Sequence, residues 1–310
     1  MFIKADQLKK VLKAAFIGKA GSGKTVHAVQ LAEAFRRLDP NPDNYRIAVI
    51  DTEAGAIKTA FTHAGANKNY FDIALVNDDE FNYATMKKCV EQAKSMDYKC
   101  IMVDSISPGW NGKNGIFGKA FANKSGNLNM RDHMMISRAN DDVLSYIANL
   151  ELPFICTIKQ KRTTDGKTFE EVDKTIQKRD FEFHFDLIVK CERVGYTSPK
   201  INNGEIFSEE AFKNYCNDLQ LTSEKFRKDY NIQEIHNVVN LEKSRLKAWT
   251  QGQTIKITKW HYLAIYAEVN DLYLSVDVYD IQNQEQALQA LNSEHLTDFD
   301  KRAIKYLFDL

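Results

Sequence analysis

The sequence predicts an α/β fold: a largely parallel central sheet flanked by helices, plus a small C-terminal α/α+β extension. Three observations carry this expectation. Apolar runs that read as buried strands recur at 14–17, 45–51, 73–76, 100–105, 153–158 and 186–191. Segments of helical spacing lie between several of them, such as the one carrying Met86, Cys89, Val90 and Ala93. The first run, Ala14-Ala15-Phe16-Ile17, feeds directly into a glycine-rich turn and then a helical pattern.

That turn is Gly18-Lys19-Ala20-Gly21-Ser22-Gly23-Lys24-Thr25, a match to the Walker A pattern in its strand–loop–helix setting. The glycines let successive backbone N–H groups face a polyphosphate without Cβ interference. Lys24 is expected against the β- and γ-phosphates, and the Thr25 hydroxyl at a Mg²⁺ position. The helix that starts here, with Val26, Ala28, Val29, Leu31, Ala32 and Phe35 as packing candidates, points its positive dipole end at the phosphates. Residues 18–26, through Val26, form the expected nucleotide-binding set, with Mg²⁺ and ATP as cofactors.

Global numbers set limits. The chain has 310 residues, enough for one sizeable α/β domain and a smaller one. Formal charge is balanced, which excludes a wholesale basic binder, but residues 1–204 carry net +5 and residues 205–310 net −5. This divides the chain into an expected ATPase domain, 1–204, and an acidic extension, 205–310. The sequence carries no long apolar span and no signal-like start, so a cytoplasmic, membrane-free protein is expected. Five scattered cysteines without C-x-x-C read as buried free thiols, not as a disulfide framework or a zinc site.

In chain order, residues 1–12 read as an amphipathic lead-in. The run 45–51 ends in Asp51-Thr52-Glu53, acids at a strand tip, where ligands bind in open α/β sheets. Cys100-Ile101-Met102-Val103-Asp104-Ser105 has the Walker B form, and Asp104 is expected to hold the water shell of Mg²⁺; the competing role is a helix N-cap. For Glu53 the competing role is a loop salt bridge.

Residues 106–127 interleave Gly109, Gly112, Gly115, Gly118 and Gly126 with Trp110, Phe117 and Phe121 and with Lys113, Lys119 and Lys124. A long glycine-rich loop of this kind suits single-stranded nucleic acid, through base stacking and phosphate pairing; the alternative is a surface loop with its aromatics tucked under it. A helix is expected over 128–150, with Met134, Ala139, Val143, Ile147 and Ala148 facing the core. After the next strand, 159–179 holds Lys159, Lys161, Arg162, Lys167, Lys174, Lys178 and Arg179 against four acids. Asp165-Gly166 is suited to turn a hairpin there, and Lys159 and Gln160 stand at the strand tip within reach of a γ-phosphate. A solvated charged hairpin is the alternative.

This order of parts resembles the RecA-like recombinase ATPases over about residues 10–195. It is similar most of all to phage-encoded RecA-like ATPases of single-strand annealing and recombination. Asp51-Thr52-Glu53-Ala54 looks like the segment with the family's catalytic glutamate, and Val103-Asp104-Ser105 like its Walker B. Asp104-Ser105-Ile106, Trp110 and Thr157-Ile158-Lys159 look like positions of the phage group. The resemblance implies a RecA-like P-loop NTPase with Lys24, Glu53 and Asp104 as catalytic residues and a ring or filament of identical subunits. It also implies DNA-binding loops at 106–127 and 160–180. Their candidates are Trp110, Lys113, Lys119, Lys124, Lys161, Arg162, Lys178 and Arg179. One departure stands out: the family's sensor glutamine directly follows an asparagine, whereas this chain has Ile158-Lys159-Gln160, leaving Lys159 and Gln160 as alternative sensors. A phage origin would place the protein in the host cytoplasm.

The extension resembles no family. It reads as helical from 209 to 249, with strands at 254–257 and 273–276 and two final helices, the second capped by Thr297. Two functions are expected: an ATPase acting on single-stranded DNA in recombination or replication, or a P-loop ATPase acting on a protein partner, contacted through the extension.

Overall fold

A computed structural model describes residues 10–122, 128–164, 171–176, 179–194, 236–246, 254–255 and 257–310. Among the described residues nine strands form the framework: β1 Lys13–Gly18, β2 Ile47–Asp51, β3 Phe71–Leu75, β4 Cys100–Asp104, β5 Phe154–Thr164, β6 Glu171–Thr175, β7 Leu187–Val194, β8 His236–Ser244 and β9 Thr254–Ile255. Their order is β3-β2-β4-β5-β1-β7-β8-β9, with β6 paired to the outer half of β5. From β3 to β7 every pairing is parallel; β8, β9 and β6 join antiparallel. The expected α/β class with a largely parallel sheet is therefore observed.

The inner strands β1, β2 and β4 and the first half of β5 are apolar almost without interruption because both faces are covered. Alternation sorts their side chains. Ala14, Phe16, Met102, Ile155, Leu187 and Val189 face one core, while Ala15, Ile17, Ile101, Val103, Cys156 and Ile188 face the other. The first core is closed by α1 (Lys24–Leu38) and α2 (Ile57–Ala64), the second by α3 (Tyr83–Ser95). Two further helices, α4 (Pro108–Asn111) and α5 (Ile116–Ala122), precede α6 (Met130–Ala148), which also packs on the second core. The buried residues of α6 are Ile136, Asn140, Val143, Leu144 and Ile147; Met134 and Ala148, expected inside, are exposed. The stripe is rotated because Ile136, Val143 and Leu144 are the bulkier apolar set at helical spacing.

Three other expectations are corrected. The stretch 106–127 is not a long loop where it is described: Pro108 starts α4 and Ile116 starts α5. Its glycines serve backbone contact, since a Cβ on Gly118 would lie 2.0 Å from the Gly112 carbonyl oxygen. The run 186–191 does not close the sheet. β7 continues into β8, which occupies part of the segment expected to be helical; Val238 and Val239 favour the strand, and the backbone edge of β7 needs a partner. The expected strand at 273–276 is absent, because Ser275 instead precedes α8 (Val276–Tyr279). β9 matches the start of the expected strand at 254–257. Residues 1–9 and the expected turns near 221 and 231 lie outside the described residues.

The described part of the extension shares the main core. Helix α7 (Lys259–Val269), which the sequence did not reveal, and α10 (Asp298–Phe308) pack on α1. Tyr266 meets Phe35 edge-on at 5.2 Å and stacks near Phe299 at 6.1 Å. The Tyr262 hydroxyl donates to Gln30 Oε1 at 3.1 Å and lies 2.9 Å from His27 Nδ1, both on α1. A short helix, α9 (Gln284–Ala290), completes a small satellite core with Val278, Leu296 and Ile304. Thr297 caps α10 through a reciprocal box with Asp300, as expected. Cys100, Cys156 and Cys191 are buried free thiols, with burial pushing Cys100 and Cys191 up to about 12; Cys216 lies outside the described residues. No described helix is long and apolar enough to cross a membrane.

Because Leu263 is fully buried between α7 and the α1 core, Leu263→Ala should destabilise the whole chain by about 2–5 kcal/mol. Urea melts followed by circular dichroism measure this. A loss under about 0.5 kcal/mol would mean that the extension does not contribute to the core.

Candidate functional site

Parallel strands bring their carboxyl ends to one edge, and register decides which residues meet there. Asp51 and Asp104 end β2 and β4 as direct neighbours, and Gly18 ends β1 beside Lys159 of β5. Val103 pairs with Cys156, so Asp104 and Thr157 follow side by side. Four distant parts of the sequence thus converge on one line.

The loop after β1 is built for close approach. A Cβ on Gly18 would fall 2.3 Å from Ser22 Oγ and 2.7 Å from the Cys191 carbonyl oxygen, so no other residue fits. Gly23 takes φ 86° as the N-cap of α1 and supplies no side-chain cap, and the first helical turn contains no acid. The first N–H groups of α1 therefore lack both an intrahelical acceptor and a cap, an arrangement that suits an anion. Lys24 is 6% exposed, and its Nζ donates to the Lys19 carbonyl at 3.3 Å. Ser22 Oγ is buried without a hydrogen-bond partner.

Asp104 is the most constrained group. It is wholly buried; Thr25 Oγ1 donates to its Oδ1 at 3.2 Å, and Thr157 Oγ1 donates to the same oxygen in a short bond. Its Oδ2 is buried and receives no donor. Burial is the main cause that pushes the carboxyl up to about 6; the Thr157 bond opposes this and the Glu53 charge adds to it. The alternative role of helix N-cap does not apply, because Ser107 precedes α4. The peptide Asp104–Ser105 is cis.

Asp51 serves the turn. Its Oδ1 accepts the Glu53 N–H at 2.7 Å and its Oδ2 the Gly55 N–H at 2.9 Å, while burial raises its pKa. That turn, with Ala54 and Gly55 at positive φ, presents Glu53 to the cleft. Thr52 ties the tips of β2 and β4: its N–H donates to the Asp104 carbonyl at 2.7 Å and its hydroxyl to the Ser105 carbonyl at 3.0 Å. Glu53 Oε1 lies 3.3 Å from Lys159 Nζ, so an ion pair is present at the predicted catalytic position. Gln160 Nε2 donates to Thr175 Oγ1 at 3.3 Å.

Lys24, Thr25, Glu53, Lys159 and Gln160 line an open cleft of about 960 Å³, with Asp104 buried behind Thr25. Its floor is the loop from Ala20 to Val26, one wall is α2 with Thr59 and His63, and the other is the β5–β6 hairpin with Lys159, Gln160 and Ile176. The structure therefore brings Lys24, Thr25, Glu53, Asp104, Lys159 and Gln160 together. Trp110 does not line this cleft; its ring is half-buried and stacks on Phe117 at 5.7 Å. Lys113, Lys119 and Lys161 are exposed, and Arg162 stands on β5. Arg179 opens the 3₁₀ turn Arg179–His184, while Lys124 and Lys178 lie outside the described residues. The hairpin arms pair as expected, Gln160 opposite Thr175 through Thr164 opposite Glu171; the Asp165-Gly166 turn lies outside the described residues. Thr52, Thr59 and His63 gave no sequence signal, since their importance arises only from register and packing.

No family model matches this sequence, and no curated protein matches it.

The buried Asp104 carboxylate gives a stability prediction. Its folded pKa, about 6, exceeds the ordinary 3.8, so the stability it confers is present below about pH 4 and lost as pH rises through 6. Asp104→Asn should therefore stabilise the ligand-free protein by about 1–3 kcal/mol at pH 8, with the gain shrinking as pH falls below 6. Thermal melts of both proteins from pH 5 to 8 test it. A variant that is less stable at pH 8 would contradict the burial argument.

Proposed function

We propose that the chain is a Mg²⁺-dependent ATPase of RecA-like architecture acting on single-stranded DNA. One observation carries the reading: the uncapped α1 terminus, Lys24, Thr25 and Glu53 face one open cleft, with the buried carboxylate of Asp104 bonded to Thr25 beneath them. The order of parts supports the architecture. Loop, acid-tipped β2, acid-tipped β4, long α6, a strand with Lys159 and Gln160, and a basic hairpin follow one another.

The residues suit Mg²⁺. A hard cation prefers hydroxyl and carboxylate oxygens, and Asp104 Oδ2 is a buried oxygen with no donor beside the Thr25 hydroxyl. Thr25 and Asp104 would hold the ion, which when bound would offset charge on the phosphate oxygens. The chain does the rest. The N–H groups of the loop 18–26 bind phosphate oxygens, Lys24 neutralises charge on the terminal phosphate, and Glu53 orients the attacking water and accepts its proton. Lys24→Ala should lower hydrolysis by roughly 10²-fold or more. Glu53→Gln should still bind nucleotide while losing turnover. Phosphate-release assays with parallel binding titrations decide; wild-type turnover in Glu53→Gln would remove Glu53 from the mechanism.

DNA as the effector is supported by the hairpin that walls the cleft. Its arms carry Lys159, Lys161, Arg162 and Lys174 against Glu171 and Asp173, an excess of positive charge that suits an anion. A protein partner is the second reading, favoured by the stacked Trp260–Tyr279 pair, with Tyr279 and Val276 exposed beside Asp277 and Asp280 on the acidic extension. Hydrolysis and binding measured with single-stranded DNA separate the two. The DNA reading expects stimulation, with log affinity falling against log salt by about 0.7 per phosphate contact. Replacing Lys161, Arg162 and Lys174 by alanine should flatten that slope. No affinity at low salt in an ATP-hydrolysing protein would transfer the assignment to the protein-partner reading.

A further inference from the structure

Lys159 lies on β5 and Glu53 in the turn after β2, and β4 lies between these strands. Their side chains nevertheless meet across the cleft at 3.3 Å. The contact is one of charge alone: Glu53 Oε1 is buried yet has no aligned hydrogen-bond donor. With side chains 34% and 22% exposed, the pair belongs to the weak, readily exchanged class. The backbone of Lys159, by contrast, is pinned. Its N–H donates to Ser107 Oγ at 2.8 Å, its carbonyl accepts from the Ile176 N–H at 2.8 Å, and it pairs beside Gly18 at the root of the glycine loop. Only the side chain is left to move, and it lines the same cleft as Lys24 and Thr25.

Resting on the nucleotide reading above, we infer that Lys159 is a two-position cation that distinguishes a nucleoside triphosphate from a diphosphate. Without a terminal phosphate it holds Glu53 and keeps that carboxylate from the attacking water. When a triphosphate fills the cleft, Lys159 transfers to the terminal phosphate and Glu53 is released to the water. The exchange is favourable because a terminal phosphate offers more charge and more acceptor oxygens than one unaligned carboxylate oxygen. A diphosphate stops short of Lys159, leaving the pair closed. The same cation thus reports the triphosphate and frees the base, a role that a neutral sensor glutamine cannot fill.

The test is equilibrium binding of ADP and of a non-hydrolysable β,γ-imido triphosphate, each with Mg²⁺, to the full chain. Glu53→Gln should tighten the triphosphate about 3–10-fold, because Lys159 no longer has to leave a partner, and leave ADP unchanged. Lys159→Met should weaken the triphosphate and leave ADP within about twofold, since only the terminal phosphate loses a contact. Lys159→Arg should retain the discrimination. In the Lys159→Met background, Glu53→Gln should have no further effect. Equal tightening by Glu53→Gln with and without Lys159 would show direct charge relief and overturn the inference, as would shifts shared equally by both nucleotides. If Lys159→Met fails to bind ADP, the Lys159→Arg and Glu53→Gln arms decide. A wild-type chain that binds neither nucleotide would instead overturn the nucleotide reading itself.

Discussion

A buried carboxylate needs donors, and Asp104 draws its two from opposite sides: Thr25 on the first turn of α1 and Thr157 on β5. That single oxygen links the strand carrying the acid, the helix behind the glycine loop and the strand between them. Thr52 adds a fourth member by bonding the backbone around Asp104 from the β2 side. The tips of β1, β2, β4 and β5 are thereby held at one level. Glu53 and Lys159 project from that level into the cleft, and the second oxygen of Asp104 is left without a partner. Placing an ionisable group there costs folding energy, and burial accordingly raises the Asp104 carboxyl.

The glycine loop depends on this frame from the other side. Gly18 must sit against Ser22 and the Cys191 carbonyl, so the loop can close only when β7 is seated beside β1. β7 in turn is backed by β8, and α1 is held by α7 and α10. The acidic extension therefore supports the cleft indirectly, by fixing the helix whose N-terminus forms its floor. The pair of Tyr262 with His27 and Gln30 is the clearest of these ties, because it joins the extension to the second turn of α1.

Much of this was legible in the sequence, for physical reasons that can be named. Apolar strands covered on both faces leave a run that needs no partner to be recognised, as at β1 and β4, and the loop at 18–25 announces itself because its glycines obey local sterics. What stayed hidden depends on pairing at a distance. β8 reads locally as helix with two valines, and only the exposed backbone of β7 makes it a strand. The stretch 106–127 reads as a loop because glycines usually break helices; here Gly118 permits the contact between two short ones. For Trp110 the sequence left a base-stacking and a tucked-under role open, and only the fold places Phe117 within stacking distance on the next short helix. The importance of Thr52, and the choice of Lys159 as partner in the salt bridge expected as an alternative for Glu53, are products of strand register.

The central claim is that the Asp104 oxygen left bare, the Thr25 hydroxyl and the glycine loop form one site for a metal-bound nucleotide. Calorimetric titration of the full chain with ADP, in Mg²⁺ and again in excess EDTA, tests this most directly. The account predicts one site per chain in Mg²⁺, with affinity reduced at least about tenfold when the ion is removed. Equal affinity in both buffers, or no binding in either, would contradict it.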